Sequence, residues 1–380
     1  MVDSAIGRTV DRAIDRTIDR SDRLGHAPAD GATVDTRRGG TTLRTDEVSR
    51  FSVQLVVIDS GAPRVAPFAT LPSLVRAGDL LVVNDAATLP ASLPGRTESG
   101  ARFELRLWGP VEPHRLAGVL LGEGDFRTRT EHRPAPPILR VGDRVRLGSR
   151  VDGFAAVVTS SAGRMVELAT NLPDDELYRA LYRVGAPVQY AHRRDPLDLW
   201  SVQTAYASRP WAVEMPSAGR PLTWDVLLAL RRAGVDIATL THAAGLSSTG
   251  DEALDGALPW PERFEIPRRT VDAIAKATAR NGRVIAVGTT VVRALESAAR
   301  QSEGTLRAGG GVATDKLGPS TTLQLVDGLI SGLHAPGESH FELLQAFAPR
   351  DQLERALSLA VARGLSSHEL GDACFILRST

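Results

Sequence analysis

Cysteine, lysine and aromatic residues are scarce in this chain, and each shortage excludes something. Its 380 residues include one cysteine, Cys374. A single thiol excludes an internal disulfide framework and any zinc or iron–sulfur site built on several cysteines. Cys374 lies in the apolar run Cys374-Phe375-Ile376-Leu377, which marks a buried structural thiol rather than a nucleophile. Lysine occurs only at Lys276 and Lys316, so the 45 basic residues are nearly all arginine, and they are balanced by 45 acidic ones. Zero net charge excludes binding to nucleic acid or anionic membrane by bulk attraction, which needs a basic surplus; a local basic groove stays open. No apolar run reaches the roughly 18 residues of a membrane-spanning helix. The N-terminus has no apolar core behind a basic start, so no secretory signal is expected and the location expected is cytoplasmic.

What is present divides the chain. At roughly 150 residues per domain, its length suggests two or three domains, each able to bury a core. Residues 1–48 repeat Asp-Arg pairs (Asp11-Arg12, Asp15-Arg16, Asp19-Arg20) and have too few large apolar residues to bury a core, as expected of a disordered tail. From Phe51 a strand, a short helix at Leu71–Ala77 and the strand Leu80-Leu81-Val82-Val83 follow. Between 91 and 170 short alternating segments such as Phe103–Trp108 and Arg144–Leu147 are separated by Gly and Pro, the pattern of a small antiparallel β-barrel. Strand and helix then alternate: helix Trp224–Arg232, strand Val235–Leu240, helix Arg268–Arg280, strand Arg283–Val287 and helix Thr290–Arg300. The fold class expected is α/β: a layered α/β domain over 49–90 and 171–380, with an inserted antiparallel β-barrel domain over 91–170.

Several places can carry chemistry. In Val284-Ile285-Ala286-Val287-Gly288-Thr289-Thr290 a buried strand ends at glycine and a helix starts at once, leaving amide N–H groups and two hydroxyls for a carboxylate or ribose hydroxyl. Arg293 and Glu296, three residues apart, can pair on one helix face, which is also what a plain surface salt bridge would do. His242 and His334 each follow a buried strand, where open α/β sheets place ligands, and each suits acid–base work near neutral pH or an orienting structural role. Neither stands in a metal-ligand spacing, so no metal is expected. Asp85, after the Leu80–Val83 strand, suits a ribose or amine contact or an Asx-turn. Gln203 and Tyr206 lie among aromatics, with Tyr190, Trp200 and Trp211 able to stack a base or to fill a core. Gly309-Gly310-Gly311 is expected to be a flexible loop rather than a phosphate loop.

The segments GDLLVVNDAATLPASLPGR (78–96), QTAYASRPWAVEMPSAG (203–219) and RVIAVGTTVVRALESAA (283–299) resemble the S-adenosylmethionine:tRNA ribosyltransferase-isomerase family of queuosine biosynthesis. LISGLHAPG (329–337) and GDACFI (371–376) add weaker matches, and the resemblance spans about 49–378. It implies an α/β domain with an inserted barrel. It further implies transfer of the ribosyl part of S-adenosylmethionine, a co-substrate, onto 7-aminomethyl-7-deazaguanine in tRNA. Isomerisation of that sugar would give epoxyqueuosine, with release of adenine and methionine and no metal. Carried over, His242, His334, Glu296 and Arg293 are the expected catalytic residues, and Asp85, Thr289, Thr290, Gln203 and Tyr206 the expected S-adenosylmethionine contacts. Ala87, Ser92, Pro221 and Gly337 replace two arginines, a histidine and a lysine of the family pattern. A second reading follows: the same chemistry on a small-molecule or other nucleobase acceptor. A third is a non-catalytic binding module.

Overall fold

A computed structural model describes residues 49–192, 195–302, 304–367 and 370–378. The expected tail of 1–48 lies outside the described residues. Two large bodies of β-structure and one short ribbon frame the described residues. The first is a nine-stranded mixed sheet made of β1 (Gln54–Ile58), β2 (Arg64–Pro67), β3 (Leu80–Asn84), β12 (Asp236–His242), β13 (Glu262–Ile266), β14 (Val284–Val287), β15 (Gly309–Ala313), β16 (Gly328–Gly332) and β17 (Ala373–Leu377), in the order β15-β13-β12-β3-β14-β16-β17-β1-β2. The second is a closed six-stranded antiparallel barrel of β5 (Ser92–Thr97), β6 (Arg102–Leu107), β7 (Arg115–Leu121), β8 (Arg144–Leu147), β9 (Phe154–Ala162) and β10 (Met165–Ala169). A two-stranded ribbon of β4 (Ala86–Thr88) and β11 (Arg209–Ala212) lies between them in the chain path. The α/β class with an inserted barrel is thus what the chain forms.

The alternation of side chains in the central strands explains the layers. Leu80 and Val82 of β3 point to one face, into a core with α5 (Arg268–Ala279), α6 (Thr289–Gln301), α7 (Ser339–Leu344) and α8 (Arg350–Ala362). Leu81 and Val83 point to the other, against α1 (Leu71–Leu74) and α3 (Trp224–Arg232). Both faces are covered, which is why β3 and β14 read as unbroken apolar runs. The barrel closes its own core, sealed at one end by Leu177 and Leu181 of α2 (Asp174–Val184); α4 (Glu252–Ala257) precedes β13. Cys374 sits inside the first core, and burial pushes its thiol up to about 12, so it is inert as expected.

One expectation fails. Gly309-Gly310-Gly311 is not a loop but the edge strand β15, paired antiparallel with β13. A Cβ at Gly311 would strike the ring of Phe264, so glycine is what lets the edge close over that ring.

Three aspartates stand one residue before a strand and accept an amide at the start of a neighbouring one: Asp79 and Asp327 at the amino ends of β3, β14 and β16, and Asp372 at the opposite edge, because β17 runs antiparallel to β16. Asp79, before β3, accepts from the N–H of Arg283 at 2.9 Å and from its guanidinium. Asp327, before β16, accepts from Val284 N–H at 2.9 Å, and Asp372, before β17, from Gln54 N–H at 2.7 Å. Burial works to raise the Asp79 carboxyl, but the Arg283 bonds outweigh it and hold it below the usual range. Asp79→Asn is expected to cost about 1.5–3 kcal/mol of stability, the worth of charged hydrogen bonds lost at a buried site. Urea denaturation checks this, and an unchanged midpoint would show that Asp79 does not hold the β3–β14 register.

Candidate active site

Strands β12, β3, β14 and β16 are parallel neighbours, so their carboxyl ends share one edge of the sheet. Open α/β sheets take ligands at that edge. Asp85 follows β3 there, is 8% exposed, and accepts a 2.6 Å hydrogen bond from the Thr241 hydroxyl. The Asx-turn alternative falls to its neighbour: Asn84 Oδ1 accepts from Ala86 N–H, while Asp85 remains directed to the edge. Burial, and then the Asp85 charge, push the Tyr206 phenol far up, so it stays a neutral hydrogen-bond donor. Tyr206 lies against the short turn Ser217–Gly219, where a Cβ on Gly219 would collide with its hydroxyl. Gln203 has a different occupation: its amide pairs with both N–H and C=O of Thr88, at 3.0 and 2.9 Å, and fixes the ribbon instead of offering itself to a ligand.

Beyond β14, Gly288 adopts φ +94°, a conformation that L side chains rarely adopt, and turns the chain directly into α6. No side chain caps this helix, and a Cβ at Gly288 would come within 3.8 Å of Ala218, so the helix start with Thr289 and half-buried Thr290 lies beside the Ser217–Gly219 turn. Asp85, Tyr206, the turn and the α6 N-terminus therefore border one another along the edge.

An inner layer lies behind them. His242, the last residue of β12, is wholly buried, and neither ring nitrogen has a hydrogen-bond partner. Burial, then the nearby Arg293 charge, hold its imidazole well below 6.5, so it is neutral. Its Nε2 lies 3.5 Å from Glu262 Oε2. Glu262 receives a charged hydrogen bond from Arg293 and a 2.6 Å bond from the Gly245 N–H, tying β13, α6 and the loop after β12 together. Arg293 also donates to the carbonyls of Trp260 and Ala313, at 3.3 and 3.1 Å. Burial lowers it to about 10, where it remains cationic.

Arg293 and Glu296 do not pair. Glu296 is wholly buried and accepts from the backbone N–H groups of Gln324, Leu325 and Val326 at 2.9, 2.9 and 3.1 Å, with Arg300 3.6 Å away. Its carboxylate is thus committed to shaping the approach to β16. Three residues of helix turn them to different neighbours, and burial obliges each to find its own partner. His334, two residues past β16, is the accessible histidine: Nδ1 is 3.3 Å from Glu338, Nε2 is 3.3 Å from the Ser331 hydroxyl, and the ring stacks on His340 at 4.6 Å. Two strand spacings, about 10 Å, separate β16 from β3.

Sequence reasoning missed Glu262, Thr241 and the backbone-binding duty of Glu296. Glu262 opens an alternating strand and reads as a solvated charge; only the partners that arrive from α6 and β12 reveal it. Among the described residues no three His, Cys, Asp or Glu side chains gather as a metal-ion set, and no helix is long and apolar enough to cross a membrane.

Fold and edge together define an α/β protein in which four parallel strands of a mixed sheet share a carboxyl edge and a barrel is inserted in the chain. A family model described as queuosine biosynthesis protein matches residues 44–376. The chain is 35% identical over 342 residues to an S-adenosylmethionine:tRNA ribosyltransferase-isomerase of Geobacter sulfurreducens, covering 87% of this chain and 94% of that one. It is 34% identical over 323 residues to the protein of the same name from Dechloromonas aromatica, covering 82% and 86%. A crystal structure of an S-adenosylmethionine tRNA ribosyltransferase from Thermotoga maritima matches at 23% identity and a TM-score of 0.47, covering 88% and 96%. The chain belongs to the queuosine biosynthesis protein family.

Two outcomes are expected of the inner layer. The buried neutral His242 takes no proton on folding, whereas the unfolded imidazole takes one below about 6.5, so its contribution is present above that pH and lost as pH falls. From about pH 7.5 to 5.5, wild-type stability should therefore fall more steeply than that of His242→Asn, by up to about 1.4 kcal/mol per pH unit. Parallel slopes in urea titrations would show that the folded histidine takes up protons as the unfolded one does. Glu296→Gln should lose about 2–4 kcal/mol by leaving buried amides badly matched; an unshifted midpoint would contradict the framework role.

Proposed function

We propose that this protein transfers the ribosyl part of S-adenosylmethionine to 7-aminomethyl-7-deazaguanine in tRNA and isomerises it to the epoxycyclopentanediol of epoxyqueuosine. Adenine and methionine are the other products. The observation that carries the reading is the meeting of Asp85, Tyr206, the Ser217–Gly219 turn and the uncapped α6 N-terminus on one sheet edge. Family membership supports the reaction class. On this reading residues 49–90 and 171–380 form the catalytic domain, 91–170 the inserted one, and the protein works in the cytoplasm where tRNA is modified.

S-adenosylmethionine supplies a sulfonium that activates the ribose carbon and leaves as a neutral thioether. The α6 amides with Thr289 and Thr290 suit its carboxylate or ribose hydroxyls. Asp85 accepts from a hydroxyl or amine, its direction set by Thr241, and Tyr206 donates. The chemistry needs a base near the activated carbon and an acid for departing adenine. His334 is the residue we assign to proton transfer, since it is accessible and braced by Glu338 and Ser331. His242 and Arg293 position the loop and helix through Glu262, and Glu296 and Gln203 act on the framework. No metal enters the scheme.

One observation favours the second reading. Ser92, where the family pattern has arginine, gives its hydroxyl to Glu104 inside the barrel at 2.8 Å and adds no cation to the surface. A small-molecule acceptor would need fewer such cations.

A single assay decides. Purified protein with S-adenosylmethionine and tRNA bearing 7-aminomethyl-7-deazaguanine should release adenine and methionine, dependent on that tRNA. Release with a small acceptor but not with the tRNA selects the second reading, and absence of S-adenosylmethionine binding sinks both. Tyr206→Phe should lower kcat/KM by about 10- to 100-fold, the worth of one hydrogen bond to a charged or reacting group. Wild-type kinetics in that variant would remove the phenol from the site.

A further inference from the structure

The ribbon strand β11 carries Arg209 and Trp211 alongside the edge, and β13 brings Arg263 to them. The Arg263 guanidinium lies 4.7 Å from the Trp211 ring centroid and that of Arg209 5.6 Å from it. Both distances fall within cation–π range. Glu265 orients Arg209 through two bonds, one of them 3.1 Å, while leaving 41% of the arginine side chain exposed. Arg263 is exposed and Trp211 half-buried. The cluster abuts the site from both sides. Ser208 N–H, one residue before Arg209, bonds the Asp85 carbonyl at 2.8 Å, and Arg263 directly follows Glu262 and accepts Ala243 N–H at 2.8 Å.

We propose that Arg209, Trp211 and Arg263 form a ledge for the single-stranded RNA that flanks the target nucleotide, with the guanidiniums on phosphates and the indole against a base. The assignment rests on the RNA-acceptor reading above and adds the surface that takes the strand. Glu265 and Asp85 both act on Arg209, and two guanidiniums stand against one aromatic ring, so cationic groups and a π-surface are presented together in a chain of zero net charge. Phosphates beside stacked bases complement such a surface. An acidic peptide would satisfy the charges but leave the indole without a stacking partner. The ledge also lies where a strand delivering its nucleotide to Asp85 must pass.

The test uses the full chain and a fluorescein-labelled RNA hairpin with 7-aminomethyl-7-deazaguanine in its loop, followed by anisotropy over a KCl series. Arg209→Ala with Arg263→Ala should raise Kd about tenfold and flatten the log Kd against log salt slope by about 1 to 1.5, near 0.7 per phosphate contact in a single strand. Trp211→Ala should weaken binding about 5- to 100-fold at nearly unchanged slope, with Trp211→Phe recovering most of it. Affinity for S-adenosylmethionine, by calorimetry, should not move. Should the double variant fail to fold, Arg263→Ala alone is expected to remove about half the slope change, and the same criteria apply to it. Variants that bind the hairpin like wild type, with the same slope, overturn the ledge and leave the proposed function standing. A wild-type protein that breaks down S-adenosylmethionine with a small acceptor yet binds no hairpin overturns the RNA reading itself.

Discussion

The register of the parallel strands is the constraint on which everything at the site depends, and carboxylates at the far edge set it. A strand that slips by one residue turns every side chain to the opposite face. In β3, β14 and β16 both faces are apolar, so burial alone discriminates poorly between registers. Asp79 and Asp327 supply the missing discrimination, because each carboxylate accepts the amide at the start of a neighbouring strand, Arg283 N–H and Val284 N–H respectively. With their starts aligned, the ends are aligned as well. Asp85, Gly288 and His334 then stand abreast although more than two hundred residues separate the first from the second.

Behind that edge the fold spends charge on position. The Glu262–Arg293 pair lies in a low-dielectric layer where taking two ions out of water is costly, and an apolar pair would serve stability as well. What the ions add is direction. Arg293 reaches two carbonyls besides Glu262, and Glu262 reaches an amide after β12, so a helix, two strands and a loop share one set of bonds. The His242 ring sits against this pair without a hydrogen bond of its own, and burial first, then the Arg293 cation, keeps it neutral. Protonating it would place a second cation in the same layer.

The architecture was legible in the sequence because its signals are local. Strand alternation, glycine punctuation and the strand–Gly–Thr–helix junction at 284–290 all act over a few residues. The exception at β15 is instructive: three glycines carry a loop signal, and only Phe264, some fifty residues away, explains why they form a strand. The site was half legible. Asp85, Tyr206, Thr289 and Thr290 meet where expected because chain position at a strand end determines them. Glu296 and Gln203 bond backbone groups, and a polar residue that does so looks like one that meets a ligand until its partners are known. Glu262 was invisible for the same reason: its partners are 17 and 31 residues away.

Net charge illustrates the same separation between composition and place. Zero balance describes the whole chain, yet Arg106, Arg133 and Arg293 are buried, the first two against Glu104 in the barrel and the third against Glu262. Those three cations share two carboxylates, so burial does not withdraw the two signs in equal number and the balance of the whole chain does not describe its surface. There the sum matters less than the arrangement, because charges separated by more than about 10 Å are screened from one another at ordinary ionic strength. Any anionic partner is met by whichever cations stand within that distance of the sheet edge. Arg209 and Arg263 stand there, and the positions at 87, 92 and 337 that hold no cation bear on recognition only so far as other arginines fail to occupy their place.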